Sequence, residues 1–206
     1  MSVPLLADAD YRDVLSFWFG NAGDDAQSIA RNNARWWQAN ALFDAEIAKR
    51  FGGLREDAIG GELDHWLGSA HGRLALIILV DQFSRNLYRK QPRAFMHDAL
   101  ARQWCEEGLK AHADDMLSPI ERVFFYMPLQ HSESIADQDL SVTLLRLLRD
   151  SVGDARRETF ANFLRHAERH RAVVARFGRF PHRNVVLGRE SSAEELAFLE
   201  QPGSSF

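Results

Sequence analysis

The chain has 206 residues, of which 46% are hydrophobic and 11% aromatic. That is too apolar for a disordered segment and long enough for one domain with a sizeable core. The formal charge of −4 argues against an obligate nucleic-acid coat, and one cysteine, Cys105, excludes a disulfide scaffold or a cysteine-based zinc cluster.

The apolar periodicity is helical nearly everywhere. Tyr11, Val14, Leu15 and Trp18 form one stripe that Gly20 should end. Residues 40–52 repeat the pattern with Phe43, Ile47 and Phe51, and Gly52-Gly53 should stop it. Residues 72–90 predict one buried helix, because the apolar run Leu74 to Val80 continues through Phe83 and Leu87. A further helix is expected over 97–112. Ser118-Pro119-Ile120-Glu121 and Ser192-Ala193-Glu194-Glu195 are capping boxes that open helices. Pro128 should kink or stop the first of these two. Long amphipathic segments cover 137–152 and 156–177, and Gly178 and Pro181 end the latter. Trp36-Trp37, Trp66 and Trp104 read as core. No window shows strand alternation and no linker interrupts the chain, so the pattern predicts a single all-α domain of nine to eleven helices over 1–206.

Residues 1–20 lack the basic start and apolar stretch of an export leader. The longest aliphatic run is far below the ~20 residues that cross a bilayer. The expected setting is therefore the cytosol, with no membrane partner.

Charge is distributed unevenly. Of the 25 cations 22 are Arg, and nine of these fall in residues 156–189, where Glu158 and Glu168 are the only acids. An acidic body thus carries a basic carboxy-terminal third.

Three polar clusters stand out. In Asp81-Gln82-Phe83-Ser84-Arg85-Asn86, a straight helix puts Asp81 and Arg85 on one face, and Gln82, Asn86 and Arg89 on another. At His131-Ser132-Glu133, beyond Pro128, His131 and Glu133 could act as a proton-transfer pair or as ligands. In Phe177 to Asn184, Phe177 and Phe180 should anchor a turn from which Arg179, His182, Arg183 and Asn184 project as anion donors. His166 and His170 lie four residues apart, but no third ligand follows at a recognisable spacing, so no metal and no cofactor are expected. Cys105, beside Glu106 and Glu107, is a poor nucleophile. A structural alternative stays open for each: a hydrogen-bonded network that locks neighbouring helices and leaves Arg89 in water for the first, a helix cap at Ser132 or Glu133 with His131 on the surface for the second, and arginines that neutralise the acidic body and tie the carboxy terminus down for the third.

Together these words resemble the bacterial domain of unknown function 924 family. The resemblance rests on Phe17-Trp18-Phe19, on Asp81 to Asn86, on Met127-Pro128-Leu129 with His131-Ser132-Glu133, and on Phe177 to Asn184 followed by Leu187-Gly188-Arg189. It implies an all-α, right-handed helical array similar to tetratricopeptide-like superhelices, and supplies no activity.

The leading functional expectation is a binding module for an anionic small molecule or an acidic peptide end. Its ligand residues would be Asp81, Gln82, Arg85, Asn86, His131, Glu133, His170, Arg179, His182, Arg183 and Asn184. This requires residues 81–89, 131–133 and 179–184 to meet. The rival is a hydrolase or transferase on a phosphate- or carboxylate-bearing substrate, with His131 or His182 as general acid/base and Asp81 or Glu133 as orienting carboxylate. A third reading is a protein-interaction scaffold without catalysis. Nucleic acid is not an expected partner, and the oligomeric state stays open.

Overall fold

The computed structural model describes residues 10–20 and 24–204. Residues 1–9 of the amino-terminal stretch that lacks a leader pattern lie outside them. The described residues are helical, with no strand among them.

Helix α1 (Tyr11–Phe19) starts where the Asp10 side chain accepts from the Arg12 N–H, and it ends at Gly20, whose φ of +78° suits glycine. It buries Val14, Phe17, Trp18 and Phe19. Helix α2 (Asp25–Trp37) is capped by Asp24. Of its two tryptophans only Trp36 is core. Trp37 is 45% exposed and lays its ring on Phe124, because it sits one residue off the buried stripe.

Helix α3 (Ala41–Gly60) runs straight through Gly52-Gly53, contrary to the stop expected there, and ends at Gly61 in the left-handed conformation. Two interior glycines cost about 1 kcal/mol each against alanine. Burial of Phe51, Arg55 and Ala58 on both sides of them offsets that cost and carries the helix on.

The expected helix over 72–90 is also different. Helix α4 (Ala70–Ile77) passes into a π-helical turn, Ile78–Gln82, and then α5 (Phe83–Leu87). The Phe83 N–H donates to the Ile78 carbonyl, five residues back. Such a turn inserts about one extra residue and rotates the succeeding turns by about 100°. Leu74 to Val80 are all 1% exposed or less, so this segment is the spine of the molecule.

Beyond it come helices α6 (Asp98–Lys110) and α7 (Pro119–His131), the second with its capping box formed as expected. Helix α7 absorbs Pro128 and ends three residues later. Helix α8 (Ile135–Ser151) packs along α9 (Asp154–Phe177) and against α7. The short α10 (Ala193–Leu199) opens on the second capping box.

One continuous core runs from Val14 to Ala167. A small second cluster of Val173, Val174 and Phe180, joined by Phe177 and Phe198, pins the turn after α9. Among the described residues no helix is long and apolar enough to cross a membrane.

Candidate functional site

The site is built around a carboxylate in the π-helical turn. Asp81 is fully buried. Its Oδ2 accepts from the Gln82 amide at 2.5 Å, while its Oδ1 meets His131 Nδ1 at 2.8 Å and the Arg85 guanidinium at 2.9 Å. Burial alone would raise its pKa, but Arg85 and His131 outweigh that and hold it down at about 2. The turn's own carbonyls are met locally. Arg85 donates to the Asp81 carbonyl and the Ser84 hydroxyl to that of Val80.

Arg85 also forms a two-pronged pair with Asp98 in the first turn of α6, at 3.0 and 2.9 Å. A second arginine approaches that same carboxylate. Arg183 Nη1 lies 3.7 Å from Asp98 Oδ2, too long for a hydrogen bond. Arg183 is 7% exposed and sits between the rings of Phe95 and Phe180, 4.8 and 4.4 Å from their centroids. Among the described residues its Nε has no hydrogen-bond partner. Burial, and then Arg85, lower its pKa to about 10, so its charge is held against a cost.

His131 is the last residue of α7. The orphan carbonyls of that helix end are taken by Gln138, whose amide donates to Gln130 and Ser132 at 2.7 Å each. Ser132 donates to Asp137 at 2.5 Å. The ends of two helices are thereby tied, and His131 is held against Asp81. Burial, and then Arg85, lower the His131 pKa despite the facing carboxylate, which makes the ring neutral at neutral pH.

These groups open on a cleft of about 510 Å³. Its polar lining residues include Asp98, Arg102, His131, Ser132, Glu133 and Arg183. Its apolar lining residues include Pro92, Phe95, Met96, Pro128 and Leu187. Glu133 is not open for chemistry. It accepts from the Phe180 N–H at 2.8 Å and from Arg189 at 2.7 and 3.0 Å. Burial would raise its pKa, and these bonds bring it below the ordinary value.

The three polar segments therefore meet in part. Asp81, Arg85, His131 and Arg183 converge, and Glu133 fastens the turn at Phe180. Asn86 and Arg89 turn the other way and pair with Asp44 of α3, at 2.8 Å for Asn86 and at 2.7 and 3.0 Å for Arg89. Arg179 forms a two-pronged pair with Glu195 at 2.7 and 2.8 Å, which holds α10 to the turn. Asn184 does not project. It is fully buried and donates to Ser191. His170 and His182 flank Phe180 at 5.5 and 5.6 Å, and burial pushes their pKa values down to about 2 and about 4. Neither belongs to the cleft lining.

Sequence reasoning missed Asp98, Phe95 and Arg102. An acid in the first turn of a helix carries no signal beyond the helix dipole, and nothing local marks Asp98 as the partner of two distant arginines. Cys105 is buried, and burial, with Glu106 adding to it, raises its pKa well above the ordinary thiol value. No group of three metal-ligating side chains occurs among the described residues. A smaller hollow of about 310 Å³ lies between α1, α2 and α7. Its acids are committed: Asp24 caps α2, Asp25 takes the Ile120 N–H and Arg156, and Glu121 closes the α7 capping box.

Residues 14–203 match the sequence profile of a family described as bacterial protein of unknown function (DUF924). A solved structure of a protein of unknown function from Agrobacterium tumefaciens is 38% identical, with a TM-score of 0.77, covering 92% of this chain and 96% of that one. No curated protein matches.

Proposed function

Since the chain belongs to the DUF924 family of bacterial proteins of unknown function, a membership that carries no activity with it, we propose a function from the cleft itself: it binds a small anion through Arg183. The observation that carries this reading is the incomplete pairing of that buried guanidinium. Asp98 is already spent on Arg85, and the Arg183 Nε has no partner among the described residues. A ligand carboxylate or phosphate would supply the bonded acceptor that Asp98, at 3.7 Å, does not, in the geometry a guanidinium favours. His131, whose Nδ1–H faces Asp81, would add a hydrogen bond from its other nitrogen once the anion has drawn a proton onto it. Arg85 and Asp81 hold Asp98 and His131 in place and do not face the ligand as first donors. The cytosol is the setting this reading takes.

The test is a thermal-shift and calorimetric screen of small carboxylates and phosphates, on wild type and on Arg183→Met. A ligand at one hundred times its Kd should stabilise the wild type by about 2.7 kcal/mol, and Arg183→Met should lose the effect. Equal stabilisation of both proteins, or of neither across the panel, would refute the reading.

A second reading has its own observation. His131 Nδ1 is fixed by a fully buried carboxylate at 2.8 Å, which leaves the other ring nitrogen as the group that can take or give a proton. With Arg183 lining the same cleft, the same anion could be the substrate of a hydrolase or transferase that uses His131 as general base. Of the three catalytic candidates His131 is the one this reading keeps, since Glu133 is locked by Arg189 and His182 lies behind the cleft. Turnover of a bound ligand by wild type, abolished in His131→Gln with binding retained, would establish it.

A further inference from the structure

The cleft lining mixes apolar and polar side chains. Met96 is 62% exposed and Leu187 36%, although most large apolar side chains among the described residues are buried. Both line the cleft together with Pro92, Phe95 and Pro128, alongside His131 and Arg183. Met96 and Leu187 lie outside both apolar clusters, so neither is held in the core. An apolar lining with a few convergent polar groups is the ordinary make-up of a small-molecule site, and about 510 Å³ lies within the usual range.

The charges on and just behind the cleft limit the ligand further. Asp81, Asp98 and Glu133 face Arg85, Arg183 and Arg189, so acids and guanidinia balance when His131 is neutral. Arg102 does not tip this balance, since Asp137 at 3.1 Å and Glu106 at 3.2 Å both engage it. One added negative charge can be met by Arg183 and one proton on His131. A second would find no free cation among the described residues of the cleft.

From the mixed lining and this balance, we infer that the ligand is an amphipathic monoanion: a carboxylate held at Arg183 and His131, with an aliphatic or aromatic body against Phe95, Met96 and Leu187. This rests on the anion reading and adds to it the apolar half of the ligand.

Calorimetric titration of the whole chain with acetate, butyrate, hexanoate and octanoate at pH 7 tests it. Full burial of a methylene strengthens binding about fourfold. In an open cleft, with one side of the chain in water, about twofold per methylene is expected, or about sixteenfold from butyrate to octanoate. Met96→Ser with Leu187→Ser should flatten that series. Both side chains are exposed, so the double variant keeps its core. Phe95 is left in place because its ring supports Arg183. Equal affinity along the series, with binding still dependent on Arg183, overturns the amphipathic assignment and leaves the anion reading standing. An unaltered series in the double variant overturns it as well. Absence of binding by every carboxylate, or binding that Arg183→Met does not weaken, removes the anion reading and this inference with it.

Discussion

The segment 81–89 feeds two polar clusters that obey different arithmetic. On one side Asn86 and Arg89 close on Asp44, so a single arginine has a whole carboxylate, held by two charge-assisted bonds, with an amide in support. On the other side Arg85 and Arg183 share Asp98, and Arg85 takes both of its oxygens at hydrogen-bond distance. In the first cluster every group is bonded; in the second the charges balance, but the Arg183 guanidinium stands 3.7 Å from Asp98, beyond hydrogen-bond reach. That difference, and not the number of charged residues, separates a helix clamp from a binding site. The Arg-rich carboxy-terminal third obeys the same rule. Arg156, Arg171, Arg176, Arg179 and Arg189 each hold an acid brought by another part of the chain, namely Asp25, Asp139, Glu194, Glu195 and Glu133. Its local positive charge is largely spent on architecture.

The largest effect expected is at the carboxylate that supports the open cluster. Asp81→Asn removes the charge that Arg85 and His131 both face, in a fully buried setting. Breaking one partner of a buried pair costs about 3–5 kcal/mol, to be read from urea unfolding. A loss below about 1 kcal/mol would show that Asp98 alone satisfies Arg85.

Acid comes next, because burial keeps His131, His170 and His182 below their ordinary pKa. As pH falls past the unfolded value of about 6.5, the unfolded chain takes up protons that the folded chain refuses, so stability drops with pH. With a folded pKa of about 2, His170 should cost about 2 kcal/mol between pH 6.5 and pH 5. The Asp81 pair is lost only lower, from about pH 4 down towards its folded value of about 2. Urea midpoints at pH 7, 5 and 3.5 separate the two phases. His170→Gln should reduce the first by about 2 kcal/mol, leaving the share of His131 and His182, and should leave the second; an unchanged slope between pH 7 and 5 would contradict the neutral, buried His170.

The closed cluster should matter less despite its better geometry. Asp44→Asn breaks bonds to Arg89, whose side chain is 40% exposed, and pairs of that kind contribute up to about 1 kcal/mol. Added salt should shrink the difference further, whereas the Asp81→Asn loss should persist in salt. An Asp44→Asn loss as large as that of Asp81→Asn would erase the distinction between the two clusters.

The sequence carried the fold more fully than the site, and the reason is range. The all-α class, both capping boxes and the end of α9 at Gly178 depend on residues within a few positions of one another. Gly52-Gly53 failed as a stop because burial of Phe51 and Arg55 in the tertiary structure overrides local propensity. Within the site, Asp81 and Arg85 were legible as neighbours on one helical face, and they do pair. Grouping Gln82 with Asn86 and Arg89 failed. The π-helical turn ends at Gln82, and the change of register sends Gln82 to Asp81 and Met127 but the other two to Asp44. Asp98 could not be found at all, since its importance comes from Arg85 and Arg183, thirteen residues before it and far beyond it in sequence.

The smallest stability effect, and the sharpest on function, is expected at Arg183. In Arg183→Met an unbranched apolar chain replaces a buried cation whose carboxylate is already bonded to Arg85. Contacts with the rings of Phe95 and Phe180 are kept in part, and what is lost of the cation–π attraction is returned by removing the desolvated charge. The net change in unfolding free energy should lie within about 1 kcal/mol of zero. A site selected for stability alone would not keep a charge there at no gain. If Arg183→Met instead destabilises by about 3 kcal/mol or more, the 3.7 Å approach to Asp98 is a full ion pair in solution. The open cluster would then be as closed as the one at Asp44. Near-neutral stability together with lost carboxylate binding would show that Arg183 is kept for its ligand.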